Sequence, residues 1–592
     1  MLSSGAFSIL GWSGIASAQD QSATTFRDIY GMPNYRSPSP NLKLLTHAQD
    51  NRVTVPRDLK LFEAYLDRLP VLREVQSGIG PDLYHLMQWN GFALDMTALD
   101  HTTNQPPGTD PLYAEQVGPH RTSWSLAIVH LAIFEATNTI YQRATSYKDL
   151  QPKIVAAVKT PLAGITPLTA SVRAAMAAAA RYTLLRIYPK KSVYTELFEK
   201  KLVPLIGDSP AMLTLGTNIG EEAAKAVLAE RGYDEKTGNF SDGSQSDGAG
   251  GMRTKGVNNS LDLEPQIASV FPTPGPMDWS ADPITVVPVT KPSKALGGYW
   301  HDCRPFALDP AELFLPGPPP APDSQRFLDS YRDVRRLGGD PNPVGLGKRR
   351  KTPTTRTGAR VPPQQPAPLD DANQTFMGNF WAYDATALLC APPRLYNMIA
   401  TRIALNEHKI SEVAEMARYL AIVNISLADA GVAAWTAKYK YHLGRPVTYL
   451  RNAKPDDRSD GIDNRDWTPL GAPVSNGTPD GANLTPPFPS YPSGHAVFGA
   501  ALFQTLRRFH GTTPATEKFE FVSDEYNGIN RGPLGEARSR VVRTLKDFGF
   551  AEAENARSRI YLGIHWQFDA DEGIDQGHKV ANHVMDNFFK TV

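Results

Sequence analysis

The 592-residue chain contains few cysteines, only Cys303 and Cys390. Two thiols exclude a disulfide framework and a thiolate metal cluster, and they allow at most one bridge. Charge of one sign is also missing, since 61 Lys and Arg balance 61 Asp and Glu, so no global field attracts nucleic acid or an anionic membrane. Any site for a polyanion must therefore be built locally.

Long hydrophobic runs are absent too. After the start of the chain, none approaches the roughly 18 residues that span a bilayer, so we expect a soluble mature protein with no membrane partner. Residues 1–19 have a short apolar stretch and a small-residue site, Ala16-Ser17-Ala18, typical of an export signal, but lack a basic leading region. We expect a secreted or periplasmic protein; the alternative is a disordered or misannotated start and a cytoplasmic location.

Alternating strand patterns are scarce, and no convincing repeat of 20–50 residues is present. Apolar periodicity and helix-terminating residues predict helices at 120–142, 166–189, 211–234, 323–337, 385–407, 410–438, 495–510, 533–562 and 569–588. The fold class is therefore mainly α, with helical bundles, two four-helix bundles, and long irregular loops.

Composition divides the predicted fold into two parts. An N-terminal helical half over 20–375 includes a region rich in Gly, Pro, Ser and Asp over 234–375. A C-terminal helical bundle over 376–592 contains the motifs that carry chemistry. Bundles of this kind often pair, so a homodimer is one expectation, with no specific interface in the sequence.

The first motif is the stretch "PPFPSYPSGHAVFGAALFQ" at 486–504. Four prolines hold an extended segment that delivers Ser493, Gly494 and His495 to the first turn of a predicted helix. A helix N-terminus has unpaired N–H groups and attracts oxyanions. Gly494 allows close approach, Ser493 adds a hydroxyl, and His495 adds an acid/base group. Taken alone, this tripeptide is more often an ordinary helix cap.

The second motif pairs Lys438 with Arg445, seven residues apart and about 10 Å along a continuous helix. Pro446 disfavours helical geometry at Arg445, so the arginine can fold back toward the lysine. In the third motif, Arg559 and His565 flank Gly563, a natural helix break. In isolation, the pair of Lys438 and Arg445 is more often chance or surface charge. Arg559 and His565 in isolation are more often a surface arginine and a core histidine.

Asp569 follows His565 by four residues, close enough to hydrogen-bond its ring and fix its tautomer. The three motifs together supply three cations, backbone and hydroxyl donors, and two histidines. This inventory suits a tetrahedral oxyanion of high charge, because arginine forks bind its oxygens in pairs and lysine acts as a point charge.

In this order the motifs resemble those of the vanadium-dependent haloperoxidases and the related type-2 phosphatidic acid phosphatase superfamily. The shared pattern is K-x6-R-P, then P-S-G-H, then S-R-x5-H-x3-D, and every defining position matches. The resemblance is nearest to the fungal chloroperoxidase type and is continuous over about 376–572. It implies oxidation of chloride or bromide by hydrogen peroxide to hypohalous acid, which halogenates a small organic acceptor.

The resemblance also implies residue roles. His565 would bind the vanadium of a vanadate cofactor, His495 would be the acid/base group, and Lys438 would polarise the peroxide substrate. The vanadate oxygens would be held by Lys438, Arg445, Ser493, Gly494 and Arg559.

Four further residues follow from the same resemblance. Asp384 would orient an arginine, and Asp569 is a weaker candidate for such a supporting role. Trp435 and Phe488 match the aromatic pair of the chloroperoxidase halide pocket. One position departs from the fungal pattern, because Gly444 replaces the aromatic residue that commonly precedes the arginine, which leaves halide selectivity open.

Two other functions remain as alternatives. A soluble acid phosphatase of the same superfamily would use His565 as the nucleophile of a phosphohistidine intermediate. A periplasmic oxyanion-binding protein without turnover would need donors but no histidine pair. Trp435, Phe488 and the long N-terminal half favour the haloperoxidase.

Overall fold

The computed structural model describes residues 80–102, 114–252, 264–270, 275, 277–280, 294–339, 371–452, 467–476, 485–512, 518–528, 530–532 and 538–592. The expected export signal over 1–19 lies outside these residues.

Helices dominate the described residues. They are α1 Pro81–Asp100, α2 Pro119–Tyr141, α3 Leu150–Val158, α4 Val172–Ile187, α5 Ser192–Leu202, α6 Pro210–Glu230, α7 Ile267–Val270, α8 Gln325–Leu337, α9 Asp371–Phe380, α10 Pro392–Arg402, α11 Val413–Tyr441, α12 Pro446–Asn452, α13 Gly494–His510, α14 Phe548–Tyr561 and α15 Gln567–Asn587. A π-helical turn, Ile403–Glu407, extends α10, and isolated 3-10 turns occupy several of the loops. The prediction of a mainly α fold is confirmed.

Two small antiparallel sheets complete the regular structure of the described residues. Strands β1, Tyr233–Asp234, and β2, Asn239–Phe240, form a hairpin in which Tyr233 lies opposite Phe240. Strands β3, Phe519–Phe521, and β4, Arg543–Leu545, place Phe519 opposite Leu545.

The helices pack as two groups that share one hydrophobic core. Helices α2, α4 and α6 pack on one another in the N-terminal part, and α11, α13, α14 and α15 do so in the C-terminal part. Helix α11 also packs along α2 and joins the two groups. Because the core runs through both, the boundary at residue 376 stays a prediction.

Helix α11 is mostly apolar and is buried along most of its length, as expected for a helix at the centre of a large core. Among the described helices it has the length and composition of a membrane span, but 94% of its most apolar window is buried inside the protein. It ends at His442, whose φ of 55° is left-handed and stops the helix just after Lys438.

Two predicted helices are shorter in the structure. The helix predicted at 385–407 begins only at Pro392, because Tyr383, Ala385, Leu388 and Cys390 have positive φ angles and form a loop. The helix predicted at 533–562 begins at Phe548, capped by Asp547, because β4 precedes it. Cys303 and Cys390 are both buried and free, so they form no bridge.

Candidate active site

The three motifs converge at the C-terminal end of α11 and the N-terminal end of α13. One guanidinium nitrogen of Arg445, Nη1, lies 3.0 Å from Nε2 of His565. Another nitrogen of the same guanidinium, Nε, donates to the carbonyl of Phe488 over 3.0 Å. Arg445 thus contacts both the proline-rich segment, residues 485–493, and the turn between α14 and α15.

Lys438 lies on the last full turn of α11 and is completely buried. Its ammonium donates to the backbone carbonyls of Pro489, at 3.0 Å, and Ser490, at 2.8 Å, and also to that of Pro492. Prolines give this segment few N–H groups, so its carbonyls are available for a cation. Burial and the nearby Arg445 hold the pKa of Lys438 well below its usual range.

Arg445 remains a cation near neutral pH despite its burial. Burial lowers the pKa of its guanidinium to about 9, and Asp569 opposes that change. A third hydrogen bond, from Nη1 to the carbonyl of Ile564 over 2.9 Å, fixes the plane of the fork.

His565 follows the helix break that the sequence predicts. Helix α14 ends at Tyr561, and Gly563 has a φ of 72°, so the chain turns before it enters α15. Nδ1 of His565 lies 2.8 Å from a carboxylate oxygen of Asp569, which makes Nδ1 the protonated nitrogen. Nε2 is then the unprotonated nitrogen, and its lone pair points among the cations.

Electrostatics keeps the His565 ring neutral. Burial, followed by the charges of Arg445, Lys438 and Arg559, lowers its pKa well below the usual range. Burial also raises the pKa of Asp569 to about 6. A neutral imidazole with one hydrogen-bonded nitrogen is the form that binds metals.

Ser493 and Gly494 lie where α13 begins. Ser493 is the N-cap, with extended backbone, and its N–H donates to the Asp569 carbonyl over 2.9 Å. A Cβ at Gly494 would lie 3.5 Å from the Trp435 ring and 4.0 Å from Cε of Lys438. Glycine therefore leaves open a space that any side chain would fill.

His495 is 6% exposed and lies on the first turn of α13. Its Nε2 lies 2.7 Å from the Ala382 carbonyl and 3.1 Å from that of Trp381. Carbonyls only accept, so Nε2 carries the proton and Nδ1 is left to exchange one. Burial and the charge of Arg559 lower the pKa of His495 well below its usual range.

Arg559 is bound by the aspartate that the sequence indicates. Its Nη2 donates to both carboxylate oxygens of Asp384, at 2.6 and 2.7 Å, and neither residue is more than 8% exposed. Burial raises the pKa of Asp384, and Arg559 opposes this effect.

The aromatic pair lies beside the cations. The rings of Trp435 and Phe488 are 4.9 Å apart, and the Phe488 ring is 5.3 Å from the ammonium of Lys438 and 4.9 Å from the guanidinium of Arg445. The structure thus places every residue of the predicted site within one connected region.

This site has buried donors without partners, which is the test of whether it fits a vanadate cofactor. Nη2 of Arg445, Nε and Nη1 of Arg559, and Oγ of Ser493 have no hydrogen-bond partner among the described residues. Unpaired buried donors are costly, so they indicate an absent acceptor. Within the same part of the chain, three cations face only two carboxylates here. Both features fit a tetrahedral oxyanion.

Some supporting residues could not be assigned from the motifs. The Ser490 hydroxyl donates to Asp569, and its oxygen lies 3.4 Å from Nδ1 of His565. The Tyr396 hydroxyl and the Asn555 side-chain amide donate to the His495 carbonyl, at 3.0 and 2.9 Å. Ser490 could have been suspected from its place between prolines of the first motif, whereas Tyr396 and Asn555 carry no comparable signal.

The chain is similar to known proteins over most of its length. A family model described as the VCPO second helical-bundle domain matches residues 418–592. Vanadium chloroperoxidase of Curvularia inaequalis is 29% identical over 547 residues, covering 82% of this chain and 79% of that protein. The chain is thus similar to a vanadium chloroperoxidase over most of its length.

Solved structures show the same fold across most of this chain. The first bacterial vanadium-dependent iodoperoxidase superimposes with a TM-score of 0.56 at 20% identity, covering 86% of this chain and 97% of that one. The holo form of a bacterial vanadium-dependent chloroperoxidase gives a TM-score of 0.53 at 16% identity, with coverages of 82% and 95%. The likeness thus extends well beyond the C-terminal bundle.

Proposed function

We propose that this protein is a vanadate-dependent haloperoxidase that oxidises chloride or bromide with hydrogen peroxide and halogenates small, electron-rich organic molecules. The observation that carries the proposal is the set of unpartnered buried donors of Arg445, Arg559 and Ser493 around the neutral Nε2 of His565. Similarity to vanadium chloroperoxidase over 82% of the chain supports the same reaction.

Several residues would hold the cofactor. Nε2 of His565 would be the ligand nitrogen, and Asp569 fixes its tautomer through Nδ1. Arg445, Arg559, Ser493 and the N–H of Gly494 provide donors for the oxygens, and Lys438 provides a nearby positive charge. When bound, vanadate supplies a Lewis acid that activates peroxide without a change of metal oxidation state.

His495 moves the protons. Because its Nε2 is fixed on the Ala382 and Trp381 carbonyls, Nδ1 is the nitrogen that can accept a proton from hydrogen peroxide. Its lowered pKa keeps the resting ring neutral, as a base must be. The same nitrogen can return the proton to an oxygen that leaves as water.

The halide binds against the aromatic pair. Trp435 and Phe488 lie near Lys438 and Arg445, whose charges favour an anion. Aromatic ring edges carry a partial positive charge, which also suits a halide. The oxidised halogen then reacts with the organic acceptor.

The test adds orthovanadate to the purified apoprotein, with peroxide and either bromide or chloride, and follows halogenation of a 1,3-diketone. We expect halogenation that depends on all three additions. Hydrolysis of a phosphate ester by the vanadate-free protein, without vanadate-dependent halogenation, would replace this proposal by the phosphatase. Binding of vanadate with neither activity would indicate an oxyanion-binding protein.

A further inference from the structure

A short strap, residues 294–300, joins the two walls of the halide pocket. The Trp435 indole N–H donates to the Leu296 carbonyl over 3.0 Å, and the Tyr439 hydroxyl donates to the same oxygen over 2.9 Å. The Leu296 N–H donates to the Pro487 carbonyl over 3.0 Å, next to Phe488. The strap thus links α11 to the proline-rich segment.

The strap is in tight contact with the indole. A Cβ at Gly297 would lie 2.2 Å from Cδ1 of Trp435, and this glycine has a φ of 76°. Only glycine fits both conditions, so backbone forms the surface against that edge of the ring. A shift of the strap therefore moves Trp435.

Glu264 fixes the strap from behind. Its buried carboxylate accepts a hydrogen bond from the Gly297 N–H and lies 3.1 Å from both Nε and Nη2 of Arg121. Its backbone carbonyl accepts from the Lys294 ammonium over 2.8 Å. Burial alone would raise the pKa of Glu264, but Arg121, His120 and the Gly297 N–H together outweigh this effect and lower the pKa to about 2.

His120 packs against the indole of Trp435. It has no solvent exposure, and its ring lies 4.6 Å from that of Trp300 and 5.3 Å from that of Trp435. Nε2 lies 3.4 Å from a carboxylate oxygen of Glu264, without hydrogen-bond geometry. Burial lowers the pKa of His120, so an uncharged ring packs against Trp300 and Trp435.

We propose that His120 and Glu264 are positioning residues that set halide selectivity by holding Trp435 at a fixed spacing from Phe488. This inference rests on the proposed function. The side-chain contacts that support it are with Trp435, Trp300, Arg121 and the strap, none of which is among the residues proposed to hold vanadate.

The expected effect follows from packing. Close-packed aromatic walls discriminate halides by size, because a smaller ion loses contact when the walls separate. Without the His120 ring, the indole can move away from Phe488, and chloride binding weakens more than iodide binding. A difference of one methylene in a pocket is worth about tenfold or more in discrimination, which sets the scale of the effect.

The test compares His120→Ala, Glu264→Gln and His120→Met. We expect the first two to raise the KM for chloride about tenfold relative to that for iodide. His120→Met, which restores volume with an adaptable side chain, should recover most of the wild-type ratio. The KM for peroxide and the Kd of orthovanadate for the apoprotein, measured by calorimetry, should stay within about threefold of wild type.

Glu552 offers a matched control, since it is a buried glutamate that also contacts an arginine and a histidine, Arg507 at 3.1 Å and His578 at 2.9 Å. Glu552→Gln should leave the chloride-to-iodide ratio unchanged. Equal ratios in Glu264→Gln, Glu552→Gln and wild type would overturn the inference, and so would parallel loss of vanadate affinity in His120→Ala.

A second readout separates this inference from the proposed function. In the apoprotein, iodide should quench tryptophan fluorescence more strongly in His120→Ala than in wild type, and Trp435→Phe should remove that increment. If wild type lacks halogenation, the proposed function fails, while quenching still reports whether His120 positions Trp435. Unchanged quenching together with an unchanged ratio of the KM values for chloride and iodide would contradict the inference and leave the proposed function intact.

Discussion

At the scale of single residues, the site concentrates charge where a protein normally avoids it. Lys438, Arg445 and Arg559 are buried together, and in the described part of the chain only Asp384 and Asp569 balance them. Buried charges without full compensation are strongly destabilising, so such a cluster persists where a ligand supplies the missing charge. The cations are best explained by binding of an anion rather than by stability.

The two histidines should separate binding from turnover. His565→Ala removes the ligand nitrogen and should lower vanadate affinity by more than about 100-fold, the upper end of what the loss of a supporting group costs. His495→Ala should retain vanadate within a few-fold and lose about 10²–10⁴ in kcat, the usual contribution of acid/base catalysis. Vanadium retained after gel filtration and steady-state halogenation measure the two effects.

A matched control is His583→Ala, because His583 is partly exposed near the end of α15 and lies 3.3 Å from the Ala307 carbonyl, outside the site. It should change neither quantity by more than about twofold. If vanadate retention falls in His495→Ala and survives in His565→Ala, the two roles are exchanged.

At the scale of elements, the close approach of α13 and α15 aligns the site. A Cβ at Gly577 would lie 2.3 Å from the Val497 carbonyl, and one at Gly573 would lie 2.8 Å from Cβ of Ala496. The two glycines are four residues apart and lie on one face of α15. Their contact holds the N-terminal turns together, where the Ser493 N–H meets the Asp569 carbonyl.

Gly577→Ala should therefore separate the two helices. Because the clash is with backbone, we expect a loss of about 1–3 kcal/mol in the free energy of unfolding and weaker vanadate binding, as Asp569 and His565 move away from Ser493. Chemical denaturation and vanadate calorimetry provide the measurements.

Gly207→Ala is the comparison, since a Cβ there meets nothing within 4 Å. It should leave vanadate affinity unaltered. Vanadate binding of wild-type strength in Gly577→Ala would show that this helix contact does not control the site.

The elements that the sequence predicted best are those whose signals are local. The break at Gly563 and the hydrogen bond between His565 and Asp569 follow from a turn residue and a four-residue spacing. Strands β3 and β4 could not be predicted, because each has three residues and they pair across more than 20 residues of chain. The first residues of the helix predicted at 385–407 form a loop instead, because several have positive φ angles that their residue types do not predict.

At the scale of the whole molecule, the irregular region 234–375 contributes to the pocket, which its composition did not indicate. Leu296 is 139 residues away from Trp435 in sequence, yet it accepts the indole hydrogen bond. Motifs within 438–569 could predict which residues meet, because the chemistry requires them to enclose one anion. Contacts such as those of Glu264 depend on the packed fold alone.

Stability of the whole protein should depend on the pH through Glu135, a fully buried carboxyl on α2. It accepts hydrogen bonds from the Ser146 hydroxyl and the Tyr147 N–H, both at 2.7 Å, but burial raises its pKa from 4.5 to about 7. Below pH 4.5 the carboxyl is protonated in both the folded and the unfolded chain, so its ionisation does not change the free energy of unfolding.

Between pH 4.5 and 7 the unfolded chain loses this proton first, so the free energy of unfolding falls as pH rises. The full penalty, about 3 kcal/mol at about 1.4 kcal/mol for each tenfold change in proton affinity, is reached above pH 7. Glu135→Gln removes the titration, so its stability relative to wild type should increase from pH 5 to pH 8. Urea denaturation at the two pH values measures this difference, with the exposed Glu196→Gln as control. A difference between Glu135→Gln and wild type that is equal at both pH values would show that the buried carboxyl stays in one protonation state across this range.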